Sequence, residues 1–296
     1  VVAVLTFFLV FVIVYISAQL ASKAQFIILG IIGLSLCSVL LASFPILGQT
    51  GFMETPVFMG EFNDANFWRT FAVFFPAVTG IMVGISMSGS LRNPRKDIPT
   101  GTMSAIGLTL LVYLALAYWL SRIASPDELL ANSTLMVDKA FWGWAILAGM
   151  LGATFSSALG SLVAAPRVMQ ALALHNTIPF SNFFSQETED GEPRQALFFA
   201  GSVGFVALLA ALASGGLDAV AGIITMFFLI TYGMLNVVVL IEQALDTVSF
   251  RPTFSVPRIV PFIGMAGCTF VMFLINPICS LVAIVMVLAI YIYLAR

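Results

Sequence analysis

Charged residues are scarce in this sequence. Only 9% of its 296 residues are Asp, Glu, Lys or Arg, whereas about 25% is usual for a soluble globular domain. The formal net charge of -2 provides no basic field for a polyanion, so nucleic acid is not expected as a partner. Hydrophobic residues make up 60% of the chain, which excludes a disordered chain. We therefore predict a membrane protein.

Cysteine and histidine are also scarce. Cys37, Cys268 and Cys279 lie inside or beside apolar runs and form no CxxC pair, so neither a disulfide framework nor a metal site is expected. The single histidine, His175, follows an apolar run and is interpreted as a loop residue rather than a ligand. The apolar runs contain no GxSxG, HExxH or phosphate-binding motif. We therefore predict that the protein is not an enzyme and has no cofactor.

Long apolar runs, in contrast, are abundant. A helix that crosses the hydrocarbon core needs about 20 residues, and runs of this order alternate with polar, Pro or Gly punctuation. We predict an all-α polytopic membrane protein with about nine spans in a single transmembrane domain, residues 1–296, and no soluble domain. The spans lie approximately at 1–20, 25–46, 71–91, 103–121, 141–172, 196–213, 217–241, 259–276 and 277–295.

The start of the chain and its basic residues give two further expectations. The chain begins inside an apolar run, with no initiator Met and no signal-peptide n-region, so we expect a fragment of a longer protein. If the loop between the first two spans is cytoplasmic, only Arg69, Arg122 and Lys139 lie outside. The basic residues then predicted to lie inside are Lys23, Arg92, Arg95, Lys96, Arg167, Arg194, Arg251, Arg258 and Arg296.

Proline and glycine interrupt the third predicted span. Its centre contains Pro76, Thr79, Gly80 and Gly84, and Pro removes a backbone donor while Gly adds backbone freedom. This spacing predicts a broken helix, whose free carbonyls suit a cation and whose free N–H groups suit an anion. Secondary transporters build substrate sites from such helices. The alternative is a Pro/Gly kink that packs closely against a neighbouring helix.

Hydroxyl groups in two later spans are further candidates. Ser156 and Ser157, with Ala153 one turn earlier, could supply oxygen ligands for Na⁺. Alternatively, they are simply the small residues of a close helix contact. Tyr232 lies deep in the seventh span and could donate to an anion, the alternative being a residue of the interfacial aromatic belt.

Ionisable residues are not predicted at mid-membrane, because Glu242 lies at the end of its span. A proton relay built on a buried carboxylate therefore has little support. The predicted intramembrane polar groups are hydroxyls, amides and backbone, which suit inorganic ions or a small zwitterion better than a strongly charged organic substrate. In the loop after the fourth span, Asn132-Ser133-Thr134 is either a glycosylation acceptor or an ordinary loop sequence.

Four stretches resemble one transporter family. FFPAVTGIMVGISMSGSLRNPRKDIPTGT, residues 74–102, resembles the sixth-helix signature of the cation-chloride cotransporters, which belong to the amino acid-polyamine-organocation superfamily. Residues 156–180, 227–236 and 251–276 are similar to the family's eighth, tenth and eleventh helices. The resemblance implies a LeuT-type inverted-repeat fold, in which the nine spans correspond to the fourth to twelfth helices and the first three are missing.

The resemblance also implies three sets of ion ligands. They are Pro76 and Thr79 for K⁺; Gly80, Ile81, Met82 and Tyr232 for Cl⁻; and Ala153, Ser156 and Ser157 for Na⁺. The serine pair favours Na⁺ coupling, because the potassium-chloride branch of the family typically lacks it. The loop at 122–140 is shorter than in typical animal members, which suggests a compact, microbial member with a reduced set of substrates.

The expected function is electroneutral symport of chloride with Na⁺, K⁺ or both by alternating access. The expected partners are these inorganic ions and the lipid bilayer, with a homodimer as one possible assembly, and the expected location is the plasma membrane as a multi-pass protein. One alternative is an amino acid or polyamine permease of the same superfamily, with a substrate carboxylate at Gly80. An alternative of another class is a transport-inactive membrane scaffold or a channel.

Overall fold

The computed structural model describes residues 2–44, 67–86, 88–189, 191–213, 218–245 and 255–294. In this part of the chain the regular elements are helices, with short 3₁₀ turns at Phe75–Val78 and Ser88–Ser90. The helices are α1 (Val2–Ile16), α2 (Ala18–Leu41), α3 (Phe67–Phe74), α4 (Met82–Ser86), α5 (Pro94–Ile123), α6 (Pro126–Ala131), α7 (Leu135–Lys139), α8 (Gly143–Leu174), α9 (Ser181–Phe184), α10 (Arg194–Ala213), α11 (Asp218–Leu245), α12 (Ile259–Ile275) and α13 (Pro277–Leu294).

Several of these helices are suited to a bilayer. Among the described residues, 5 are long and apolar enough to cross a membrane: Leu20–Leu41, Pro94–Ile123, Gly143–Leu174, Arg194–Ala213 and Ile224–Leu245. Val2–Ile16, Ile259–Ile275 and Pro277–Tyr293 are apolar but shorter. The expectation of an all-helical polytopic membrane protein is therefore confirmed, on the basis of helix length and apolar composition. The count of about nine spans, their bounds and the single domain stay predictions.

Local sequence signals account for the helix ends. Pro94 occupies the first turn of α5, where its missing N–H costs nothing. The Asp97 carboxylate Oδ2 accepts a hydrogen bond from the Asn93 N–H at 3.1 Å, which satisfies a donor at the helix start. At the other end of the chain, the Asn276 Oδ1 accepts bonds from the N–H groups of Ile278 and Cys279. Asn276 therefore ends α12 and caps α13.

The described residues divide into two compact units. The first consists of those within Val1–Gly60, Val83–Asn176 and Phe180–Gly201. In it α2 packs along α8, and α1 contacts both helices. Its apolar core includes Val10, Val14, Leu159, Val163 and Leu197. These residues come from α1, α8 and α10, and so this core joins helices that are distant in sequence.

Small residues on α8 allow α2 to approach closely. A Cβ added at Gly149 would lie 2.6 Å from the Ser35 side chain, and one at Gly152 would lie 3.1 Å from the Ile28 side chain. Such separations are shorter than normal contacts, so larger residues at these positions would push the two helices apart. This is the close packing through small residues that is common between membrane helices.

A second core cluster of the first unit surrounds the entry to α8, and Ser38 of α2 joins it there. The Ser38 hydroxyl accepts a bond from the Trp142 N–H at 2.7 Å and donates to the Trp142 carbonyl at 3.2 Å. The Ser38 carbonyl also accepts from the Phe141 N–H at 3.2 Å. Since Ser38 is completely buried, water cannot replace these partners.

We therefore expect Ser38→Ala to lower the free energy of unfolding by about 1–3 kcal/mol, because it leaves the Trp142 N–H buried without an acceptor. The change is measured as a fall in the unfolding temperature of the detergent-solubilised protein. Ser35→Ala is the matched control, since Ser35 packs against Gly149 one turn earlier on α2. Equal shifts in the two variants would contradict a specific role of the bonds between Ser38 and Trp142.

The second unit consists of the described residues within Glu61–Met82, Thr177–Pro179 and Ser202–Arg296. Here α12 packs between α11, α13 and α3. Met226, Leu229, Val271 and Met272 form the centre of the core, and Phe75 of the 3₁₀ turn packs against them. Phe75 therefore fixes the backbone just before the point at which the third predicted span is interrupted.

Candidate functional site

The third predicted span is interrupted at Thr79 and Gly80. Helix α3 ends at Phe74, a 3₁₀ turn occupies Phe75–Val78, and α4 begins only at Met82. Gly80 has a φ of 105°, which a residue with a Cβ rarely adopts. The interruption expected from Pro76 and Gly80 is therefore present in the structure.

Tyr232 of α11 contacts this interruption. The Gly80 N–H donates a hydrogen bond to the Tyr232 hydroxyl oxygen at 2.9 Å, across 152 residues of sequence. The Tyr232 ring stacks on that of Phe228, one turn earlier, with the ring centroids 6.1 Å apart. Both partners belong to the second unit. The hydroxyl is used here as an acceptor, so its own O–H remains a donor for a further group.

The other residues predicted to bind K⁺ and Cl⁻ lie in the same short segment. Pro76 lies in the 3₁₀ turn, and Thr79 directly precedes Gly80 and is half-buried. The Ile81 side chain is exposed, whereas Met82, the first residue of α4, is half-buried. The structure thus brings two of the predicted residues, Gly80 and Tyr232, into direct contact, and the remaining four adjoin Gly80 along the chain.

The predicted Na⁺ ligands all lie on α8, which is continuous through them. Ser156 is half-buried, while Ala153 and Ser157 are exposed in the first unit. Ser156 also lies at helical spacing between Gly152 and Gly160. A Cβ added at Gly152 would lie 3.1 Å from Ile28 of α2, and one at Gly160 would lie 3.3 Å from Val83 of α4 and 3.5 Å from Gln25 of α2. The register of Ser156 therefore agrees with its alternative interpretation as a small residue in a close helix contact.

Among the described residues, no group of three or more His, Cys, Asp or Glu side chains is arranged to hold a metal ion. The polar contact that the structure shows at the interruption is between the Gly80 N–H and the Tyr232 hydroxyl.

Two supporting residues were not assigned a role from the sequence. The Asn236 Nδ2 donates to the Tyr232 carbonyl at 2.8 Å, and Gly264 of α12 is so close that a Cβ there would lie 2.5 Å from the Asn236 Oδ1. Phe228, Tyr232 and Asn236 follow one another at four-residue intervals. This spacing is the sequence signal that could have connected Asn236 with Tyr232. The contact with Gly264 has no signal in the sequence.

The loop that carries the glycosylation pattern is ordered by Asn132 itself. Its Nδ2 donates to the Asp138 carboxylate at 2.8 Å. Its Oδ1 accepts from both the N–H and the hydroxyl of Thr134, each at 2.9 Å. Modification of Asn132 would replace one of the two hydrogens on this Nδ2 and leave the other to donate to Asp138.

Comparison with known proteins identifies the family. The chain matches the family model described as "Amino acid permease" over residues 1–296. It is 33% identical over 230 residues to "Cation-chloride cotransporter 1" of Arabidopsis thaliana and 32% identical over 238 residues to the protein of that name from Oryza sativa subsp. japonica. These alignments cover 77% and 79% of the chain but only 23% and 24% of the relatives.

The chain therefore spans about a quarter of the length of these curated relatives. Its resemblance to the cation-chloride cotransporters is confirmed. The interrupted helix and the match over the whole chain agree with each other, and the chain belongs to the amino acid permease family of membrane transporters, as a relative of the cation-chloride cotransporters within the amino acid-polyamine-organocation superfamily.

Proposed function

We propose that the protein is a secondary transporter with a LeuT-type fold that carries chloride together with Na⁺, K⁺ or both, electroneutrally and by alternating access. The observation that carries the proposal is the hydrogen bond from the Gly80 N–H to the Tyr232 hydroxyl at an interrupted helix. Helices broken in this way form the ion sites of many transporters. The names of the two plant relatives support ions as the substrate class.

Chloride would bind where Gly80 and Tyr232 meet. The N–H groups of Gly80 and Ile81 belong to the non-helical residues, that of Met82 to the first residue of α4, and the Tyr232 O–H is a further donor. An entering anion would accept from the Gly80 N–H and the Tyr232 O–H at the same time. One neutral hydrogen bond would thereby be replaced by two charge-assisted ones, each roughly twice as strong.

Potassium would bind on the other side of the interruption. Pro76 has no N–H and cannot bond to the carbonyl four residues earlier, so carbonyl oxygens are left for a cation near the 3₁₀ turn. The Thr79 hydroxyl adds an oxygen ligand. A cation here and an anion at Gly80 would neutralise each other's charge without a carboxylate. If Na⁺ is carried as well as K⁺, electroneutral coupling requires a second chloride.

Sodium would bind at Ala153, Ser156 and Ser157. This assignment rests on the hydroxyl pair and the family resemblance, since α8 is regular here and its carbonyls are occupied by helical hydrogen bonds. Membership of a transporter family is consistent with the absence of enzymatic activity. Location in the plasma membrane, formation of a homodimer and the absence of a resident cofactor are part of the same proposal.

Ion flux into proteoliposomes that contain the intact native protein tests the proposal. We expect uptake of Rb⁺, a surrogate for K⁺, to fall about tenfold or more when gluconate replaces chloride, because the cation would lose its partner charge. Uptake should be unaffected by an imposed membrane potential, since no net charge moves. Rb⁺ uptake that is independent of chloride would refute the proposal. Currents too large for a carrier would instead identify a channel.

The sodium assignment has its own test in the same assay. Ser156→Ala should raise the Na⁺ concentration needed for half-maximal Rb⁺ uptake, and the apparent affinity for chloride should change less. Ser161→Ala on the same helix is the control. If Ser156→Ala instead impairs unfolding stability and leaves the Na⁺ dependence unchanged, Ser156 is a packing residue and the sodium site is wrong.

The second candidate function is an amino acid or polyamine permease, and the description of the matching family model favours it. In that case the N–H groups at Gly80 would hold a substrate carboxylate in place of chloride. Unfolding temperature distinguishes the two. Stabilisation by an amino acid at constant chloride would support the permease, whereas stabilisation by chloride at constant ionic strength would support the ion transporter.

A further inference from the structure

A cleft in the first unit involves neither the interruption nor the predicted ion ligands. It encloses about 10 Å³ and lies where the end of α1, the last part of α8 and the start of α10 meet. Its lining includes Tyr15, Arg167, Glu192 and Arg194. Arg167 follows Ser157 by ten residues on α8, or about 15 Å along the helix axis.

Arg194 is the central residue of this cleft. Its guanidinium carbon lies 4.9 Å from the centre of the Tyr15 ring, so the aromatic face holds the side chain in place. Its Nε is buried and has no hydrogen-bond partner among the described residues. A buried charged donor without an acceptor is costly, and an acceptor supplied by a ligand would remove that cost.

The charge and polarity of the cleft select an anion with an apolar part. With the two guanidinium groups of Arg167 and Arg194 and the single carboxylate of Glu192, the described lining has a net charge of +1. Val14, Leu162 and Leu197 provide apolar wall. Guanidinium groups match phosphate oxygens with paired N–H donors.

The predicted position of the cleft in the membrane also favours a phosphate group as the ligand. The distribution of Lys and Arg predicts that Arg167 and Arg194 lie on the cytoplasmic side, where basic pockets between membrane helices bind phospholipid headgroups. Arg194 is also the first residue of α10, which has 20 residues, so the positive end of the helix dipole adds to the attraction.

We propose that this cleft binds a phosphate group, carried either by an anionic phospholipid headgroup or by free phosphate. Arg194 is its principal ligand, and Arg167 supplies a second positive charge. The Glu192 carboxylate repels anions, so the cleft favours a ligand with a small negative charge. This site is independent of the ion transport proposed above, and its test uses binding rather than flux.

Ligand-induced stabilisation of the intact native protein in an uncharged detergent tests the site. Dioctanoyl phosphatidylglycerol, dioctanoyl phosphatidylcholine and inorganic phosphate are titrated at constant chloride and ionic strength, and the unfolding temperature is recorded. We expect phosphatidylglycerol to stabilise the protein, and its apparent affinity to fall about tenfold or more in Arg194→Gln, since charge-assisted bonds to phosphate are lost. Arg167→Gln should also weaken binding of phosphatidylglycerol, and it replaces Arg194→Gln as the test variant if Arg194→Gln does not fold.

Arg95→Gln is the matched control, because Arg95 is exposed on α5 and is predicted to lie on the same side of the membrane. Stabilisation by phosphatidylglycerol alone supports a lipid site, and equal stabilisation by inorganic phosphate supports a free-phosphate site. The proposal is overturned if neither probe binds, or if phosphatidylcholine binds equally well. It is also overturned if Arg95→Gln weakens binding as much as Arg194→Gln does.

Discussion

Gly80→Ala is expected to reduce Rb⁺ and chloride uptake by about tenfold or more while the helical content of the protein stays unchanged. With a φ of 105°, Gly80 has a backbone conformation that costs a residue with a Cβ about 1–3 kcal/mol. Nothing lies within 4 Å of the position that the new Cβ would occupy. The effect would therefore come from the backbone, which would rotate and turn the Gly80 N–H away from the Tyr232 hydroxyl.

Gly84→Ala is the matched control for this prediction. Gly84 lies in α4, four residues further on, where an added Cβ would also have nothing within 4 Å, and its φ is not in the left-handed region. Alanine in a helix is favoured over glycine by about 0.5–1 kcal/mol, so this variant should fold and transport normally. Equal transport by the two variants would show that the conformation of Gly80 is not required.

The interruption of the third span could be predicted from the sequence because its causes are local. Proline and glycine act on the backbone of their own turn, so Pro76 and Gly80 are informative without any knowledge of their neighbours. The predicted span at 71–91 nevertheless corresponds to a helix, a 3₁₀ turn and a short second helix. Hydropathy alone finds the apolar length and does not show where the hydrogen bonds break.

Helix ends in polar sequence were harder to predict. Helix α5 begins at Pro94, nine residues before the span predicted at 103–121, because the run Arg95-Lys96-Asp97 lowers the hydropathy of its first turns. The first-turn proline and Asp97 are helix-start signals of their own. A helix can extend beyond the hydrocarbon core of the membrane, so the length of the apolar run underestimates the length of the helix.

The contact between Gly80 and Tyr232 depends on the tertiary structure. From the residues alone, Tyr232 was either an anion donor or a residue of the aromatic belt, and only the family resemblance connected it with Gly80. The same limit applies to Ser156. The spacing of small residues on α8 is the same for an ion site and for a close helix contact, and the glycines that contact α2 favour the second interpretation.

Tyr232→Phe is expected to weaken the apparent affinity for chloride by about tenfold with near-normal expression. The phenylalanine ring can keep the stacking on Phe228, but the hydroxyl is lost. A hydrogen bond to a charged group contributes about 1.5–3 kcal/mol. The loss is partly offset, because the ion-free variant also leaves the Gly80 N–H without its acceptor, at a cost of about 1 kcal/mol. The remaining difference of about 0.5–2 kcal/mol corresponds to a change in affinity of about twofold to thirtyfold, with tenfold near the middle of that range.

The offset arises only if the Tyr232 hydroxyl bonds both to the Gly80 N–H and to chloride, and this dual role can be tested. Since the same hydroxyl accepts the hydrogen bond from the Gly80 N–H at 2.9 Å, Tyr232→Phe should also lower the unfolding temperature without chloride. Saturating chloride should widen the difference, because it stabilises the wild-type protein, which binds it more tightly, more than the variant. Tyr291→Phe on α13 is the control, because Tyr291 is 68% exposed. A fall in unfolding temperature with unchanged chloride affinity would mean that Tyr232 only braces the interrupted helix, and the anion would then have to bind elsewhere.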